Sequence, residues 1–200
     1  MGSWLNEVEL VGETVSLQPL SMTHGEALLE AASDGKLWEL WYTGVPSQNS
    51  IDRYIEQALA DKKISKALPF VVVENKTGQV LGCTRFCNAV AAHRRLEIGY
   101  TWYAKSSQRT SVNSQCKLLL LSHAFERLDA IAVEFRTHWH NQKSRNAIAR
   151  LGAKQDGVLR NHSIEADGVF RDTVVFSIIN SEWPSVKKSL QFNLMNLSPV

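Results

Sequence analysis

Apolar residues recur along this chain at two spacings, and the switches between them divide it into elements. Val15 and Leu17 alternate with Thr14 and Ser16 behind a turn at Gly12-Glu13, which predicts a first strand between Glu9 and Leu20. Ala27, Leu28 and Ala31 follow helical spacing after a cap at Ser21 or Thr23, and Gly35 closes that helix. Leu37 to Tyr42 is dense in aromatic residues and runs into a loop at Thr43-Gly44-Val45-Pro46. A second helix opens at Ser50 and carries Tyr54, Ile55, Ala58 and Leu59. Lys62, Lys63 and Lys66 crowd its far end, where the helix dipole favours cations. Phe70 to Glu74 has the composition of a buried strand, and Val80 to Phe86 returns beside it. Asn75-Lys76-Thr77-Gly78 between them is hairpin chemistry, with Gly78 free to take a positive φ. Ala89 to Arg94 reads as a loop.

The central unit follows, from Arg95 to Gly152. A strand, Leu96 to Tyr103, leads through the polar turn Ala104 to Ser111 into a long helix opening at Val112-Asn113. A second strand, Ala130 to Thr137, leads into a second helix, Asn141 to Leu151. Strand, tight polar loop and helix together aim free amides and the positive dipole end at an anion, so this unit is expected to hold a pyrophosphate-bearing cofactor. Beyond it lie a strand near Val158 to Asn161, a turn at Asp167-Gly168 and a strong β run from Arg171 to Ile179. A terminal segment has one helical stretch, Trp183 to Leu190. The order mixes antiparallel meanders with one parallel crossover, so the fold class is α/β, with a domain over 1–180 and a tail segment over 181–200.

Composition narrows the function. A formal net charge of +2 and scattered Lys and Arg leave no electrostatic footprint for nucleic acid. No apolar run approaches membrane-spanning length, and the Met1-Gly2-Ser3 start is neither a signal peptide nor a good myristoylation match, so no membrane partner and a cytoplasmic location are expected. Cys83, Cys87 and Cys116 are an odd count, which fits reduced thiols acting as small buried hydrophobes.

Several short motifs recur in a familiar order. They are Leu17-Gln18-Pro19-Leu20, Gly78-Gln79-Val80-Leu81-Gly82, Leu96-Glu97-Ile98-Gly99-Tyr100 and Gln108-Arg109-Thr110-Ser111-Val112-Asn113. Asn141-Gln142-Lys143-Ser144 with Ile148 and Leu151-Gly152 comes next, and Arg171-Asp172-Thr173-Val174-Val175-Phe176-Ser177 comes last. In these motifs the chain resembles the GNAT superfamily of acyl-CoA-dependent N-acyltransferases, and within it the RimJ/RimL-like branch, over roughly Val8 to Ile179. The resemblance implies a mixed, mostly antiparallel, twisted sheet with helices on both faces and a central splayed parallel strand pair. It implies acetyl-CoA as co-substrate, no metal, and an amine acceptor that is either a protein N-terminus or a small molecule. Oligomeric state stays open, a homodimer included.

The same resemblance assigns residues. The family's cofactor loop is Gln/Arg-x-x-Gly-x-Gly/Ala, and Gln108, Arg109, Thr110, Ser111, Val112 and Asn113 occupy it. Ser111 stands where the first glycine is expected; a positive φ there would cost a serine about 1–2 kcal/mol, and a negative φ would cost nothing. Amides of the strand end at Thr101, Trp102 and Tyr103 are implied to accept the pantetheine arm, and one between Gly99 and Trp102 to hold the oxyanion. Glu97 lies in an otherwise apolar strand, which calls either for an ion pair with Arg94, Arg95 or another base, or for a general base whose pKa rises on desolvation. Strand alternation sets Glu97, Gly99, Thr101 and Tyr103 on one face. Asn141 is implied to hold the pantetheine arm and Ser144 to act as general acid toward the thiolate. The competing reading of both is ordinary helix-start chemistry, and Tyr42, Tyr100 or Tyr103 offers the same proton.

Trp38, Trp41 and Tyr42 precede the second helix, where related enzymes shape the acceptor pocket; they are candidate substrate contacts or plain packing. A closed aromatic pocket built on Trp38 and Trp41 would favour a small amine, and an open groove a peptide. His138-Trp139-His140 has no acid or cysteine nearby to complete a metal site and reads as the end of a strand. The alternative to an enzyme is a catalytically weak acyl-CoA-binding or regulatory module, motivated by Ser111.

Overall fold

The computed structural model describes residues 4–197, so the Met1–Ser3 start lies outside the described residues. Eight strands form one sheet: β1 Leu10–Val11, β2 Val15–Pro19, β3 Leu68–Glu74, β4 Val80–Val90, β5 Arg95–Tyr103, β6 Ala132–His138, β7 Lys154–Ile164 and β8 Phe170–Ile179. Their order across the sheet is β1-β2-β3-β4-β5-β6-β8-β7, and every pairing is antiparallel except β5 with β6. The helices are α1 Gly25–Ser33, α2 Ile51–Lys63, α3 Val112–Glu126, α4 Gln142–Arg150 and α5 Trp183–Leu197.

Each face of the sheet has its own core, because successive side chains of a strand point to opposite sides. On β3, Leu68, Phe70 and Val72 join Leu120 and Leu121 of α3, Ile148 of α4 and Trp183, Val186 and Leu190 of α5. Val71 and Val73 join Leu28, Ala31 and Ala32 of α1 and Ile51, Ile55 and Ala58 of α2 on the other face. The mixed sheet with helices on both faces is as the sequence implies. Four departures exceed a shift of a residue or two at an element's end. β4 runs on to Val90 and a 3-10 turn over Ala91–His93 replaces the expected loop. β7 is longer than its apolar stretch, since as the edge strand beside β8 it carries mostly exposed residues. α5 continues past Leu190 to Leu197.

The fourth difference bears on the site. Between Cys83 and Arg85 β4 advances two residues, while opposite them β5 advances three, from Gly99 to Trp102. The extra residue is a β-bulge, and Tyr100 takes it up with φ 51°. One inserted residue flips every later side chain to the other face. Tyr103 therefore joins Leu96 and Ile98 in the core under α3, and Trp102 joins the core under α1 and α2. Uninterrupted alternation had placed these two the other way round.

Candidate active site

β5 and β6 pair at three rungs, Arg95 with Ala132, Leu96 with Val133 and Glu97 with Glu134, and then part. β5 continues six residues to Tyr103 and β6 four residues to His138, each bonded only to its outer neighbour. Their facing backbone edges are thus left without strand partners, in a V-shaped splay that can accept an extended ligand.

The loop after β5 closes one end of the splay. The Gln108 side chain donates from Nε2 to the Tyr103 carbonyl at 3.0 Å, tying the loop to the strand end. Thr110 Oγ1 donates to the Ser107 carbonyl at 2.7 Å, and Gln115 Nε2 donates to Ser111 Oγ at 3.2 Å. Ser111 itself is the N-cap of α3 with φ −70° and ψ −14°, so serine costs no strain where the family uses glycine. The left-handed residue of the loop is Arg109, with φ 65°. Among the described residues no hydrogen bond engages the amides of Arg109, Thr110 or Ser111; in the first turn of α3 the Val112 amide donates to Thr110 Oγ1 at 3.3 Å, and Asn113 has no intrahelical acceptor. Free amides at a helix start fit a pyrophosphate.

Glu97 sits on the last shared rung, 7% exposed. Asn88 Nδ2 donates to its Oε2 at 2.8 Å, and Arg136 Nε lies 3.5 Å from the same oxygen. Arg136 also bonds Glu134 at 3.0 Å, and Arg95 bonds Glu134 from outside. The ion partner expected for Glu97 is thus Arg136, while Arg94 pairs with Asp129. Burial pushes the Glu97 carboxyl above its ordinary range, against the opposing pull of Asn88 and Arg136. Gly99 has no side chain to obstruct it: a Cβ there would stand 2.9 Å from Glu97 Oε1 and 3.1 Å from Cys87 Sγ.

At the end of β6, Asn141 caps α4 by accepting from the Ser144 amide at 3.0 Å. The Ser144 hydroxyl, half-buried on the first turn, is engaged by no hydrogen bond among the described residues. Trp41 reaches this end from the α1–α2 connection. Its ring lies 5.0 Å from that of His138, 5.7 Å from that of His140 and 5.6 Å from that of Tyr42. Trp38 is elsewhere: it lines a shallow depression of about 570 Å³ with Glu26, Glu30 and Gln48. The structure therefore joins Trp41 and Tyr42 to the mouth of the splay and leaves Trp38 apart. Trp102 and Tyr103 turn their side chains into the two cores, so only their backbone can meet a ligand in the splay. Burial beside the Cys116 thiol also pushes the Tyr103 hydroxyl well up, which makes it a weaker acid.

Two buried cations escaped the sequence reading. Arg85 of β4, 3% exposed, lies with its guanidinium 3.9 Å from the Tyr100 ring centroid and 5.1 Å from that of Tyr54. Lys117 of α3, 4% exposed, donates from Nζ to Thr101 Oγ1 at 2.8 Å. The signal for Lys117 lay in the helical spacing: it shares a stripe with Leu120, Leu121 and Ala124, all buried.

A sheet with one splayed parallel pair, an amide-lined loop and a buried carboxylate on the last shared rung defines an acyltransferase architecture. The chain belongs to the acetyltransferase (GNAT) domain family, which it matches over residues 14–154. It is 29% identical over 110 residues to YdaF of Bacillus subtilis, provisionally named a ribosomal N-acetyltransferase, a match that spans 55% of this chain and 59% of that relative's length. Its fold is that of a GCN5-related N-acetyltransferase from Brucella melitensis, with TM-score 0.85 and 27% identity over 95% of this chain and 86% of that one. RimJ of Mycobacterium smegmatis, solved in complex with CoA-disulfide, shares the fold at TM-score 0.74 and 24% identity, covering 90% of this chain and 88% of its own. The name of the Bacillus relative agrees with the RimJ/RimL-like resemblance of the sequence.

Proposed function

We propose that this protein moves an acetyl group from acetyl-CoA to a primary amine, with a protein N-terminus as the acceptor, by direct attack in a ternary complex. The observation that carries the reading is Glu97, a buried carboxylate with raised pKa on the rung where β5 and β6 part. Acetyl-CoA supplies the activated thioester. The amides from Arg109 to Asn113, of which Val112 first gives up the Thr110 hydroxyl, hold its pyrophosphate at the start of α3, and the unpaired edge from Thr101 to Tyr103 holds its pantetheine arm, with Asn141 on the opposite side. Glu97 takes a proton from the acceptor amine, directly or through water. A backbone N–H of the bulge between Gly99 and Trp102 donates to the oxyanion, and the Ser144 hydroxyl donates a hydrogen bond to the sulfur. Much of the rate comes from holding two substrates in line.

A peptide acceptor is favoured over a small amine because Trp38 and Trp41 do not enclose a common pocket. Trp41 instead stands 64% exposed at an open mouth. The ribosomal naming of YdaF points the same way. Thiol release from acetyl-CoA, measured with a panel of N-terminal peptides and small amines beside calorimetric binding, tests the proposal. Turnover on peptides with the α-amine acetylated is expected. Tight binding with no turnover on any amine would replace the enzyme by an acyl-CoA-binding module, and no binding would sink both.

A further inference from the structure

Lys117 reaches from α3 into the sheet at an unusual place. Thr101, which accepts its hydrogen bond at 2.8 Å, lies on β5 beyond the bulge and is 2.7 Å from Thr84 Oγ1 of β4. Phe135, whose ring centroid is 6.0 Å from Nζ, lies on β6 one residue past the last rung shared with β5. The amine therefore lies against β5, with a ring of β6 at 6.0 Å, at the level where the backbone pairing of these two strands has stopped.

Burying an ammonium costs several kcal/mol unless it is well paired, and Leu or Met would fill the same stripe without that cost. No carboxylate pairs with Lys117 among the described residues, and Thr101 is the acceptor it meets there. An ammonium has three donors, so two are left for something else. The titratable groups that face it are the thiols of Cys116 on α3 and of Cys83 and Cys87 on β4, and β5 and β6 present the Thr101 hydroxyl and the Phe135 ring. Burial pushes all three thiols up, Cys83 and Cys116 to about 11, so they are neutral and none is a counterion. Burial likewise pushes the Lys117 amine down to about 8.

Acyl transfer from a thioester needs a proton at this point. The Ser144 hydroxyl can hydrogen-bond a departing sulfur, but it is a much weaker acid than a thiol and cannot leave its proton there. An efficient donor has a pKa near that of the group it protonates and near the working pH. We infer that Lys117 is a further catalytic residue, whose ammonium, held in the splay by Thr101, gives the departing CoA sulfur its proton. The inference rests on the acetyl-CoA reading proposed above. In the step, the C–S bond breaks with its electron pair on sulfur, one N–H bond of Lys117 breaks and an S–H bond forms. Lys117 then regains a proton from solvent, and Glu97 releases the one taken from the acceptor amine, so each turnover balances.

The test compares wild type with Lys117→Met, which keeps the length of the stem, and Lys117→Gln, which keeps a polar end. Thermal melting, calorimetric binding of CoA, the ultraviolet absorbance of the bound CoA thiolate against pH, and kcat against pH are measured on each. Both variants are expected to bind CoA, and Lys117→Met to melt at or above the wild-type temperature. The thiol of bound CoA should ionise roughly one to two pKa units lower in wild type than in Lys117→Met, because the cation favours the thiolate. The kcat should fall about a hundredfold in both variants, with loss of the alkaline descending limb expected for wild type as the Lys117 amine gives up its proton. Equal thiol ionisation and equal kcat profiles, with binding intact, overturn the assignment and leave the acetyl-CoA reading standing. Loss of stability and of CoA binding in both variants makes Lys117 a structural support and overturns it too. A wild-type protein that binds neither CoA nor acetyl-CoA overturns both readings.

Discussion

Glu97 and Glu134 stand opposite each other on the last rung that β5 and β6 share, with Arg136 hydrogen-bonded to Glu134 and ion-paired with Glu97 at 3.5 Å. Two acids so close would repel, and the guanidinium holds the pair together. Burial gives the larger upward push on the pKa of Glu97; Arg136 works against that push and Glu134 adds to it. Arg136→Met should therefore move the ascending limb of kcat/KM to higher pH, by roughly one unit. Glu134→Gln removes the like charge and should move it to lower pH. Shifts in the same direction for the two variants would remove Glu97 as the titrating base.

Glu97→Gln separates activity from stability. Loss of a general base lowers kcat by roughly 10²- to 10⁴-fold. The folded pKa of Glu97 is raised, so the folded state holds its proton more tightly than the unfolded chain does. Its contribution to stability is fully present below the unfolded pKa and is lost as pH rises through the folded value. At neutral pH the buried carboxylate is thus a net cost, and the variant should melt above wild type. At low pH, where both states are protonated, the two proteins should converge. A melting series across pH checks this beside the steady-state rates.

Ser111 reads as a departure in the sequence and as an ordinary helix cap in the structure, at φ −70°. Ser111→Gly should leave the Kd for acetyl-CoA within about twofold, because no positive φ awaits relief. A tenfold gain in affinity by calorimetry would show that the serine does obstruct the loop.

Trp41 and Trp38 should behave differently. Trp41→Ala removes an exposed ring from His138 and His140 at the mouth of the splay. The KM for a peptide acceptor should rise several-fold, with the KM for acetyl-CoA and the melting temperature nearly unchanged. Trp38→Ala, in the separate depression beside α1, should leave the acceptor KM alone and lower stability by about 1 kcal/mol. Steady-state kinetics and melting of the two variants decide it.

Gly99→Ala tests how closely the strand passes the carboxylate. The added methyl would meet Glu97 Oε1 at 2.9 Å and Cys87 Sγ at 3.1 Å. Turnover should drop at least tenfold as Glu97 is displaced, while Glu97→Gln should gain little further loss from the same change, since the two act on one group. Fully additive losses in the double variant would argue that Gly99 acts elsewhere.

Local spacing was enough to find most of this protein. The apolar pattern and the turn residues located the strands, the helices and the order in which they occur, because each of those signals is carried by residues a few positions apart. The strand-loop-helix from Leu96 to Asn113, and Glu97 within it, were legible for the same reason. Tertiary structure decided what depends on distant partners. The bulge at Tyr100 exists because β4 and β5 carry unequal numbers of residues between shared rungs, and it exchanged the faces of Trp102 and Tyr103. Arg136, thirty-nine positions from Glu97, became its ion partner only when β6 docked alongside β5. Lys117 looked like one more charged helix residue until the stripe it shares with Leu120 and Leu121 was pressed onto the sheet, with a threonine of β5 as its acceptor. Pairing between strands and burial under helices are long-range events, and they set the charges of this site.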